Sequence, residues 1–370
     1  MGESRKIVVI SAVNFFSGGP LTILKDCVTN LSNFDSSDFH FLILVHKRDL
    51  IKDTQSNIEV VEFPLSRKSW FLRLYYEYIY FFFFSIRFKP YLWLSLHDIT
   101  PNVIAKKRAV YCHNPSPFYE ISQREVKLDR IFALFNKLYL YLYSINIKKN
   151  NFVIVQQEWL RNVFIKKFEL KNVIVTNPEN KRVNQTKFTN EIKSVNDVIF
   201  SYPALPRVFK NHEIIAEAVR ILYNRNIQNF QVNFTIDGLE NDYAEYILKK
   251  YKFLKSINFL GLLKNDEMTK LYSLTDFVIF PSKLETWGLP ITEAKAYHIP
   301  ILLADLPYAK ETVGTYDFVK FFKVNDPNQL ADIMQSAIKG NIIYEPTQKQ
   351  KPIKPFAENW SELFNILLKE

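Results

Sequence analysis

Two glutamates and the turn between them are the part of this sequence best suited to chemistry. Glu285 and Glu293 flank a Gly-Leu-Pro turn, and the apolar run Phe277–Phe280 precedes them. This order predicts a buried strand, a loop with one carboxylate, and a helix with the second carboxylate in its first turn. The free N–H groups and the dipole at such a helix start favour an anion. Two acceptor carboxylates beside an anion suit a ligand that has a phosphate and many hydroxyls, such as a nucleotide sugar.

The same two glutamates also fit a rival hypothesis, the acid and base of a glycoside hydrolase. Such carboxyl pairs lie roughly 5–10 Å apart. Eight helical residues span about 12 Å, but Glu285 is expected in a loop, so spacing alone leaves both hypotheses open. The phosphate-binding character of the helix start favours transfer from a nucleotide sugar.

Three further groups of residues follow predicted strands. Arg207 and Lys210 could both reach a diphosphate, although basic loop residues are as often merely solvated. His113 could hydrogen-bond a sugar hydroxyl or stabilise positive charge, and a structural histidine is the alternative. Gly18 and Gly19 could let the backbone approach a phosphate or a sugar, or could simply form a tight turn.

The cysteines predict neither a disulfide framework nor a metal site. Cys112 lies beside His113, but no second Cys/His pair has ligand spacing, so no metal is expected. The other cysteine is Cys27, and two reduced thiols are typical of a cytosolic protein.

Length and charge indicate two domains that differ in character. A chain of 370 residues is too long for one ordinary core. Residues 1–200 carry 28 Lys and Arg against 18 Asp and Glu, whereas residues 201–370 carry 20 of each. The basic half could face an anionic membrane, a phosphorylated acceptor or nucleic acid, or could simply be basic. Nucleic acid is disfavoured as a partner because the basic half contains no recognisable nucleic-acid-binding motif. No signal peptide or membrane span is expected.

Strand-like and helical runs alternate through both halves, which predicts an α/β protein with two doubly wound parallel sheets. We expect an N-terminal domain at 1–185, a second domain at 186–350 and a C-terminal helix at 351–370 that could pack back on the first domain. A polar linker is predicted at 178–197. Such domains bind ligands at the carboxyl ends of their strands, so two facing domains would form a cleft.

Aromatic, amphipathic and basic runs predict further elements and contacts. Residues 70–88 and 128–145 read as aromatic helices, which could lie in a membrane interface or pack a core. Residues 356–368 read as one amphipathic helix, and residues 234–236 as a strand. The basic run Lys106–Arg108 is the predicted membrane contact.

Taken together, these residues resemble retaining glycosyltransferases of family 4, which have the two-domain GT-B fold. The resemblance is strongest over residues 198–338, and residues 111–118 are similar to bacterial O-antigen or capsule transferases. The residues that match in order and spacing are Leu260, Gly261, Glu267, Leu271, Tyr272, Asp276, Pro281, Ser282, Glu285, Gly288, Leu289, Pro290, Glu293, Ala294, Pro300 and Glu311.

The resemblance implies a role for each candidate. Arg207 and Lys210 would neutralise the donor diphosphate, Gly18 and Gly19 would lie against the donor, and Glu293 would hold the ribose hydroxyls. The catalytic residues implied are His113, which would touch the transferred sugar, and Glu285, which would face it. Gly261 and Leu262 would lie near the nucleobase. The backbone N–H groups expected to meet the sugar and phosphate are those of Thr286, Trp287, Gly288 and Leu289.

The resemblance also implies partners and a location. The donor would be a UDP-, GDP- or dTDP-sugar, the acceptor a lipid-linked or other oligosaccharide, and the product a bacterial surface polysaccharide. No cofactor and no metal would be needed, and the protein would be cytoplasmic and peripheral on the inner face of the membrane. The alternatives are a nucleotide-sugar epimerase or hydrolase, or a non-catalytic sugar-binding protein.

Two departures from the family pattern stand out. His298 occupies a position where family members usually have glycine, and the spacing from Arg207 to Lys210 is shorter than in many members. The second departure makes the role of Arg207 less certain than that of Lys210.

Overall fold

The computed structural model of the chain describes residues 5–33, 38–52, 55–177, 197–350 and 352–369. These residues form two compact units, each built on its own sheet. The first unit contains the described residues within 5–117, 137–177 and 352–369, and the second contains 118–136 and 197–350. The predicted linker, apart from Asp197, and the predicted boundary at 185/186 lie outside the described residues.

The described residues form fourteen strands, and most of them are apolar runs buried on both faces, as parallel sheets covered by helices require. In chain order they are β1 (Lys6–Ser11), β2 (Phe39–Val45), β3 (Ile58–Glu62), β4 (Leu92–Ser95), β5 (Lys107–Cys112), β6 (Phe152–Val155), β7 (Val173–Thr176), β8 (Val198–Tyr202), β9 (Phe230–Phe234), β10 (Ile257–Phe259), β11 (Phe277–Phe280), β12 (Ile301–Ala304), β13 (Val319–Phe322) and β14 (Phe356–Ala357).

Both sheets are parallel throughout and doubly wound. The strand order in the first unit is β14-β7-β6-β5-β4-β1-β2-β3, and in the second it is β10-β9-β8-β11-β12-β13. The direction of winding reverses between β1 and β4 in one sheet and between β8 and β11 in the other. Such switch points are where open α/β sheets bind ligands, outside the carboxyl ends of the strands.

Thirteen α-helices accompany these strands in the described residues. They are α1 (Gly18–Asn33), α2 (Trp70–Tyr75), α3 (Phe81–Phe88), α4 (Gln123–Leu128), α5 (Arg130–Ser144), α6 (Glu158–Phe168), α7 (His212–Asn224), α8 (Asp242–Tyr251), α9 (Asn265–Leu274), α10 (Leu289–Ala296), α11 (Pro307–Val313), α12 (Pro327–Ile338) and α13 (Trp360–Lys369). A π-helical turn, Tyr76–Tyr80, joins α2 directly to α3.

Side-chain caps fix where several of these helices begin. Asn241 accepts a hydrogen bond from Ala244 N at 2.9 Å at the start of α8. Asp326 accepts one from Gln329 N at 2.9 Å at the start of α12, where Pro327 occupies the first turn. Such caps satisfy N–H groups that lack a partner within the helix.

The C-terminal helix belongs to the core of the first unit. Leu363, Phe364 and Leu367 of α13 are buried in one cluster with Leu24 and Leu31 of α1 and with the strands of that sheet. Burial of each such side chain contributes roughly 1.5–3 kcal/mol. The core of this unit therefore unites residues from both ends of the chain.

Residues 118–136 fell within the first domain predicted from the sequence, but the structure groups them with the second unit. The ring of Phe132 lies 5.1 Å from that of Phe209, and Tyr119 also packs against Phe209. Lys283 Nζ lies 3.3 Å from Glu125 Oε1. Aromatic packing and an ion pair across a long sequence separation explain this grouping.

Other differences concern element boundaries. The predicted strand at 234–236 is observed earlier, as β9, and β7 was not predicted. The predicted helix at 356–368 begins only at Trp360, because Asn359 accepts a hydrogen bond from Glu362 N at 2.9 Å, while Phe356–Ala357 pairs with β7 as β14. Among the described helices, none combines the length and the apolar character that a membrane crossing requires.

Candidate active site

The second unit brings two of the predicted site residues together at its switch point. Lys210 follows β8 and Glu285 follows β11, and these two strands are neighbours in the sheet. Lys210 Nζ lies 2.5 Å from Glu285 Oε1, and the side chains are only 18% and 13% exposed. Mostly buried charges of this kind need each other or another ionic partner. A charged ligand that arrived here would therefore meet a preformed cation and a preformed anion.

Hydrogen bonds between the two loops fix the position of this pair. The buried Tyr202 hydroxyl donates to Lys210 O at 2.7 Å. Asn211 Nδ2 donates to Pro281 O at 3.3 Å, and Lys283 N donates to Phe209 O at 2.8 Å. Because the last two bonds join the loop after β8 to the loop after β11, the backbone segments that carry Lys210 and Glu285 are held beside each other.

Helix α10 begins directly after the Glu285 loop. Thr286 is half-buried, Trp287 is buried, and Leu289 is exposed at the first turn. The Thr312 hydroxyl donates to Trp287 O, and Trp287 Nε1 donates to Thr292 Oγ1 at 3.1 Å. These contacts hold the helix start rigid, and its first N–H groups lack partners within the helix, which favours an anion.

Gly288 caps this helix with a backbone that other residues adopt only under strain. Its φ is +82°, and a Cβ atom at this position would lie 3.2 Å from both Ile291 Cδ1 and Phe280 Cε1. Two features therefore favour glycine at this position: the positive φ, and the close approach of the Ile291 and Phe280 side chains.

We expect Gly288→Ala to lower the free energy of unfolding by roughly 2–3 kcal/mol, of which about 1–2 kcal/mol comes from the positive φ. Gly340→Ala is the matched control, since Gly340 has φ +70° but open space around its Cβ position. Urea unfolding of both variants separates the two contributions. Equal losses would show that Ile291 and Phe280 give way without cost.

Glu293 lies in the same helix and is held by a tyrosine. Tyr272 OH donates to Glu293 Oε2 at 2.6 Å. Burial and the adjacent Glu293 carboxylate raise the pKa of Tyr272, so its hydroxyl stays protonated. The second carboxylate oxygen of Glu293 has no part in this bond and can accept from a ligand hydroxyl.

The two residues predicted beside the nucleobase follow β10. Gly261 has φ +72°, and a Cβ atom there would lie 3.2 Å from Asp237 Oδ2. Leu262 is exposed. Asp237 follows the neighbouring strand β9, so the structure adds a carboxylate to this part of the sheet edge that the sequence reasoning did not single out.

Arg207 has a different partner from the one expected. Its Nη1 atom lies 3.1 and 3.3 Å from the two carboxylate oxygens of Asp129. Asp129 Oδ1 also accepts from Phe132 N at 3.0 Å, at the start of α5. The guanidinium group therefore links residues 118–136 to the loop after β8. Of the two predicted diphosphate-binding residues Arg207 and Lys210, it is Lys210 that pairs with Glu285.

His298 explains one departure from the family pattern. Its φ is +58°, in the left-handed region that glycine occupies without strain. The residue closes the turn after α10, where its N–H donates to Lys295 O at 3.0 Å. The usual glycine of the family suits this backbone, and histidine adopts the same conformation here.

In the first unit, His113 is held by a carboxylate that the sequence reasoning missed. Asp98 Oδ1 accepts from the backbone N–H groups of His113 at 2.7 Å and Asn114 at 3.1 Å. The hydroxyls of Tyr143 and Tyr139 donate to Oδ1 and Oδ2 at 2.9 and 3.0 Å. Asp98 is buried, and His113 Nδ1 lies 3.5 Å from its Oδ1. Four donors thus fix one carboxylate, which fixes the backbone that carries the imidazole.

Asp98 follows β4, next to the switch point of the first sheet. Its φ of +71° lets its side chain turn back toward the end of β5. The signal was present in the sequence, because a strand was predicted at 91–95 and His97-Asp98 comes soon after it. A polar pair just beyond a buried strand at the sheet centre is typical of a site.

Gly18 and Gly19 open α1 after β1, on the other side of the same switch point. Gly18 has φ +63°, and a Cβ atom on either glycine would meet open space. Phe15, in the loop before them, packs its ring 5.5 Å from that of His113. The first unit therefore brings the glycine loop and the histidine loop together through Phe15.

The described ranges contain no group of three or more His, Cys, Asp or Glu residues placed to hold a metal ion. Cys27 and Cys112 are both buried thiols that form no disulfide. Burial raises the pKa of each thiol well above its ordinary value, so neither is a reactive thiolate.

Comparison with known proteins agrees with this geometry. Residues 183–356 match the family described as Glycosyl transferases group 1. The O-antigen chain mannosyltransferase B of Escherichia coli is 28% identical over 103 residues, which are 27% of this chain and 26% of that relative. The match thus spans about a quarter of the curated relative's length.

Solved glycosyltransferase structures share the fold. The lipopolysaccharide outer core galactosyltransferase WaaB has a TM-score of 0.61 at 11% identity, with 92% of each chain covered. HepE of Anabaena, in complex with UDP-glucose, has a TM-score of 0.57 at 14% identity, with 91% of this chain and 90% of HepE covered. The predicted GT-B class, with two parallel-sheet α/β domains, is confirmed. Residues 183–356 therefore match a glycosyl transferase group 1 domain, and this match supports the predicted enzyme class, a glycosyltransferase.

Proposed function

We propose that this protein is a retaining glycosyltransferase of family 4, which moves a sugar from a nucleotide-sugar donor to a lipid-linked oligosaccharide during bacterial surface polysaccharide synthesis. The observation that carries the proposal is the Lys210–Glu285 pair at the switch point of the second sheet, beside the start of α10. The names of the similar proteins support the substrate class, since one acts on the O-antigen chain and another holds UDP-glucose.

In the proposed chemistry, positively charged and N–H groups lie where negative charge develops during the reaction. The bond between the sugar and the diphosphate breaks, and the diphosphate leaves with additional negative charge. Lys210 and the free N–H groups at the start of α10 would stabilise that charge with little movement of the backbone, because the surrounding hydrogen bonds already hold both segments. The proposal needs no metal and no further cofactor, since these groups take the part of a bound cation.

Each remaining candidate keeps a proposed role. Glu285 would exchange its bond to Lys210 for hydroxyls of the donor sugar, and Glu293 would accept from the ribose with the oxygen that Tyr272 leaves available. His113 would contact the transferred sugar, with its backbone held by Asp98. Retention requires the acceptor oxygen to join the sugar on the face from which the diphosphate departs, and the proton of the acceptor hydroxyl would pass to the departing diphosphate.

The glycine loop, the residues after β10 and Arg207 are given less specific roles. Gly18 and Gly19 would give the donor close access to the backbone, and Gly261 with Leu262 would lie near the base. Arg207 would reach a diphosphate only by giving up Asp129, so we propose that its main role is to hold that carboxylate.

The experiment that tests the proposal is a thermal-shift screen of the chain against UDP-, GDP- and dTDP-sugars. A donor that binds only the folded state raises the melting temperature, by an amount that grows with its concentration relative to Kd. We expect one nucleotide class to do so for wild type and to have a much weaker effect on Glu293→Ala. If the donor is consumed equally fast with and without an acceptor, the epimerase or hydrolase alternative replaces transfer.

A further inference from the structure

An exposed apolar stripe runs along the continuous helical segment from α2 through the π-helical turn to α3. Phe71 is 85% exposed and Phe83 is 64% exposed, although both are large apolar side chains. The exposed side chains recur every three or four residues and therefore share one face of the segment. The residues of this outer stripe are Phe71, Tyr75, Ile79, Phe83 and Ile86.

The opposite face of the same segment is fixed to the first unit. Phe81 and Phe84 are buried in a core cluster with Trp93. Arg73 Nη2 donates to His97 O at 3.3 Å, and Glu77 is fully buried beside His97. The segment therefore cannot rotate to hide its outer stripe, and about 28 Å of helix presents apolar side chains outward.

Within residues 63–97, the exposed charged residues all have one sign. Between residues 63 and 97 the only acidic residue is Glu77, which is buried and whose pKa burial raises to about 8. Arg67 and Lys68 precede the stripe and Arg87 and Lys89 follow it, and all four are exposed. The surface is thus apolar along its length and cationic at both ends.

A groove continues the outer stripe at its C-terminal end. It has a volume of about 410 Å³, and its apolar lining includes Ile86, Pro90, Ile104 and Ala105. Lys89 and Lys106 also line it. An apolar groove beside two ammonium groups matches a molecule that joins hydrocarbon to an anionic headgroup.

We propose that the outer stripe and this groove form a docking surface for a bilayer that contains anionic phospholipid. The aromatic and aliphatic side chains would enter the boundary between headgroups and acyl chains, and the basic residues at both ends would meet the phosphates. A second copy of the chain fits less well, because pairing two such stripes in either direction brings cationic ends together.

The inference goes beyond the proposed function, since none of its residues belongs to the donor site, although a lipid-linked acceptor would be reached at such a surface. It also corrects the basic run expected from the sequence. Lys107 Nζ donates to Leu367 O at 3.2 Å, and Arg108 is partly buried, which leaves Lys106 as the exposed member of that run.

The test is co-sedimentation with vesicles of equal parts phosphatidylglycerol and phosphatidylcholine, and with vesicles of phosphatidylcholine alone. We expect wild type to bind the anionic vesicles at least about tenfold more tightly. The triple variant Phe71→Ser, Ile79→Ser, Phe83→Ser should lose about tenfold or more of that binding. The matched control, Tyr223→Ser, Leu239→Ser, Phe253→Ser, removes equally exposed apolar side chains of the second unit and should bind as wild type.

Tryptophan fluorescence and a charge-reversal variant give two further measurements of vesicle binding. Trp70 is the one exposed tryptophan of the five, so its fluorescence should shift to the blue on anionic vesicles. Arg87→Glu with Lys89→Glu should reduce binding, and the binding that remains should be less sensitive to salt, because less electrostatic attraction is left to screen.

Equal binding by wild type and the stripe variant, or equal binding to both vesicle types, overturns the proposal. The proposal is also overturned if wild type elutes as a dimer in gel filtration and the stripe variant elutes as a monomer. That result would make a second copy of the chain the occupant of the surface. The donor-induced thermal shift, measured on the same variants, tests the proposed function separately from the docking surface. A wild type that responds to donor but ignores vesicles refutes the docking surface and leaves the proposed function standing.

Discussion

Replacing Lys210 by alanine is expected to lower the rate of sugar transfer by about 10²–10³-fold. Removing one fixed charge-stabilising donor from a transition state typically has an effect of this size, about 2.7–4 kcal/mol. Lys210 is suited to that role because its backbone is held by Tyr202 and its ammonium group is paired with Glu285 before a donor arrives. Steady-state rates with the donor identified by the thermal-shift screen provide the measurement.

The control for this variant must separate lost catalysis from lost folding. Removing Lys210 also leaves the mostly buried Glu285 carboxylate without its partner, so the melting temperature should fall together with activity. Lys210→Arg keeps the charge and should recover part of the rate, and Lys252→Ala removes an exposed lysine of the same unit and should change neither property. Wild-type rates in a folded Lys210→Ala protein would remove Lys210 from the mechanism.

Replacing Asp98 by asparagine is expected to lower kcat by roughly tenfold to a hundredfold while the KM for the donor changes little. Asparagine keeps the shape, but its amide group offers one carbonyl oxygen where the carboxylate offers two acceptors. Either the Tyr139 hydroxyl or the backbone of His113 then faces an N–H group. The His113 loop should shift, which reduces the fraction of molecules aligned for reaction.

Asp98→Ala removes the acceptor of four hydrogen bonds and should lower the free energy of unfolding by roughly 3–5 kcal/mol. Asp38→Asn changes an exposed aspartate of the same unit and should have no effect on either quantity. If Asp98→Asn lowers stability but leaves kcat unchanged, Asp98 is structural only. A parallel rise in KM would instead assign it to donor binding.

Buried strands were the part of the fold most accurately predicted from sequence. The runs at 39–45, 152–155 and 277–280 coincide with β2, β6 and β11, because a strand covered on both faces is apolar at nearly every position, with His40 the one polar residue in these three strands. β9 was misplaced, since Gln231 and Asn233 point to a less buried face and interrupt the apolar run. β14 carries no sequence signal, because two residues are held mainly by backbone pairing with β7.

The candidate site was predictable where chemistry follows a strand and unpredictable where it depends on distant partners. Lys210, Glu285 and Glu293 were singled out because each comes soon after a buried run or a helix start. The pairing of Arg207 with Asp129 could not be predicted, since Asp129 lies far away in sequence and no pattern marks it. The same holds for residues 118–136, whose unit is decided by packing on Phe209.

The most direct test of the central claim is titration calorimetry of the selected nucleotide sugar into wild type, Glu293→Ala and Glu245→Ala. Glu293 is proposed to accept from the ribose, and a hydrogen bond to a charged acceptor contributes about 1.5–3 kcal/mol, so its loss should raise Kd by roughly ten- to a hundredfold. Glu245 is an exposed glutamate of α8, and its removal should leave Kd unchanged. A Glu293→Ala protein that is folded and binds the donor as tightly as wild type would contradict the site proposed here.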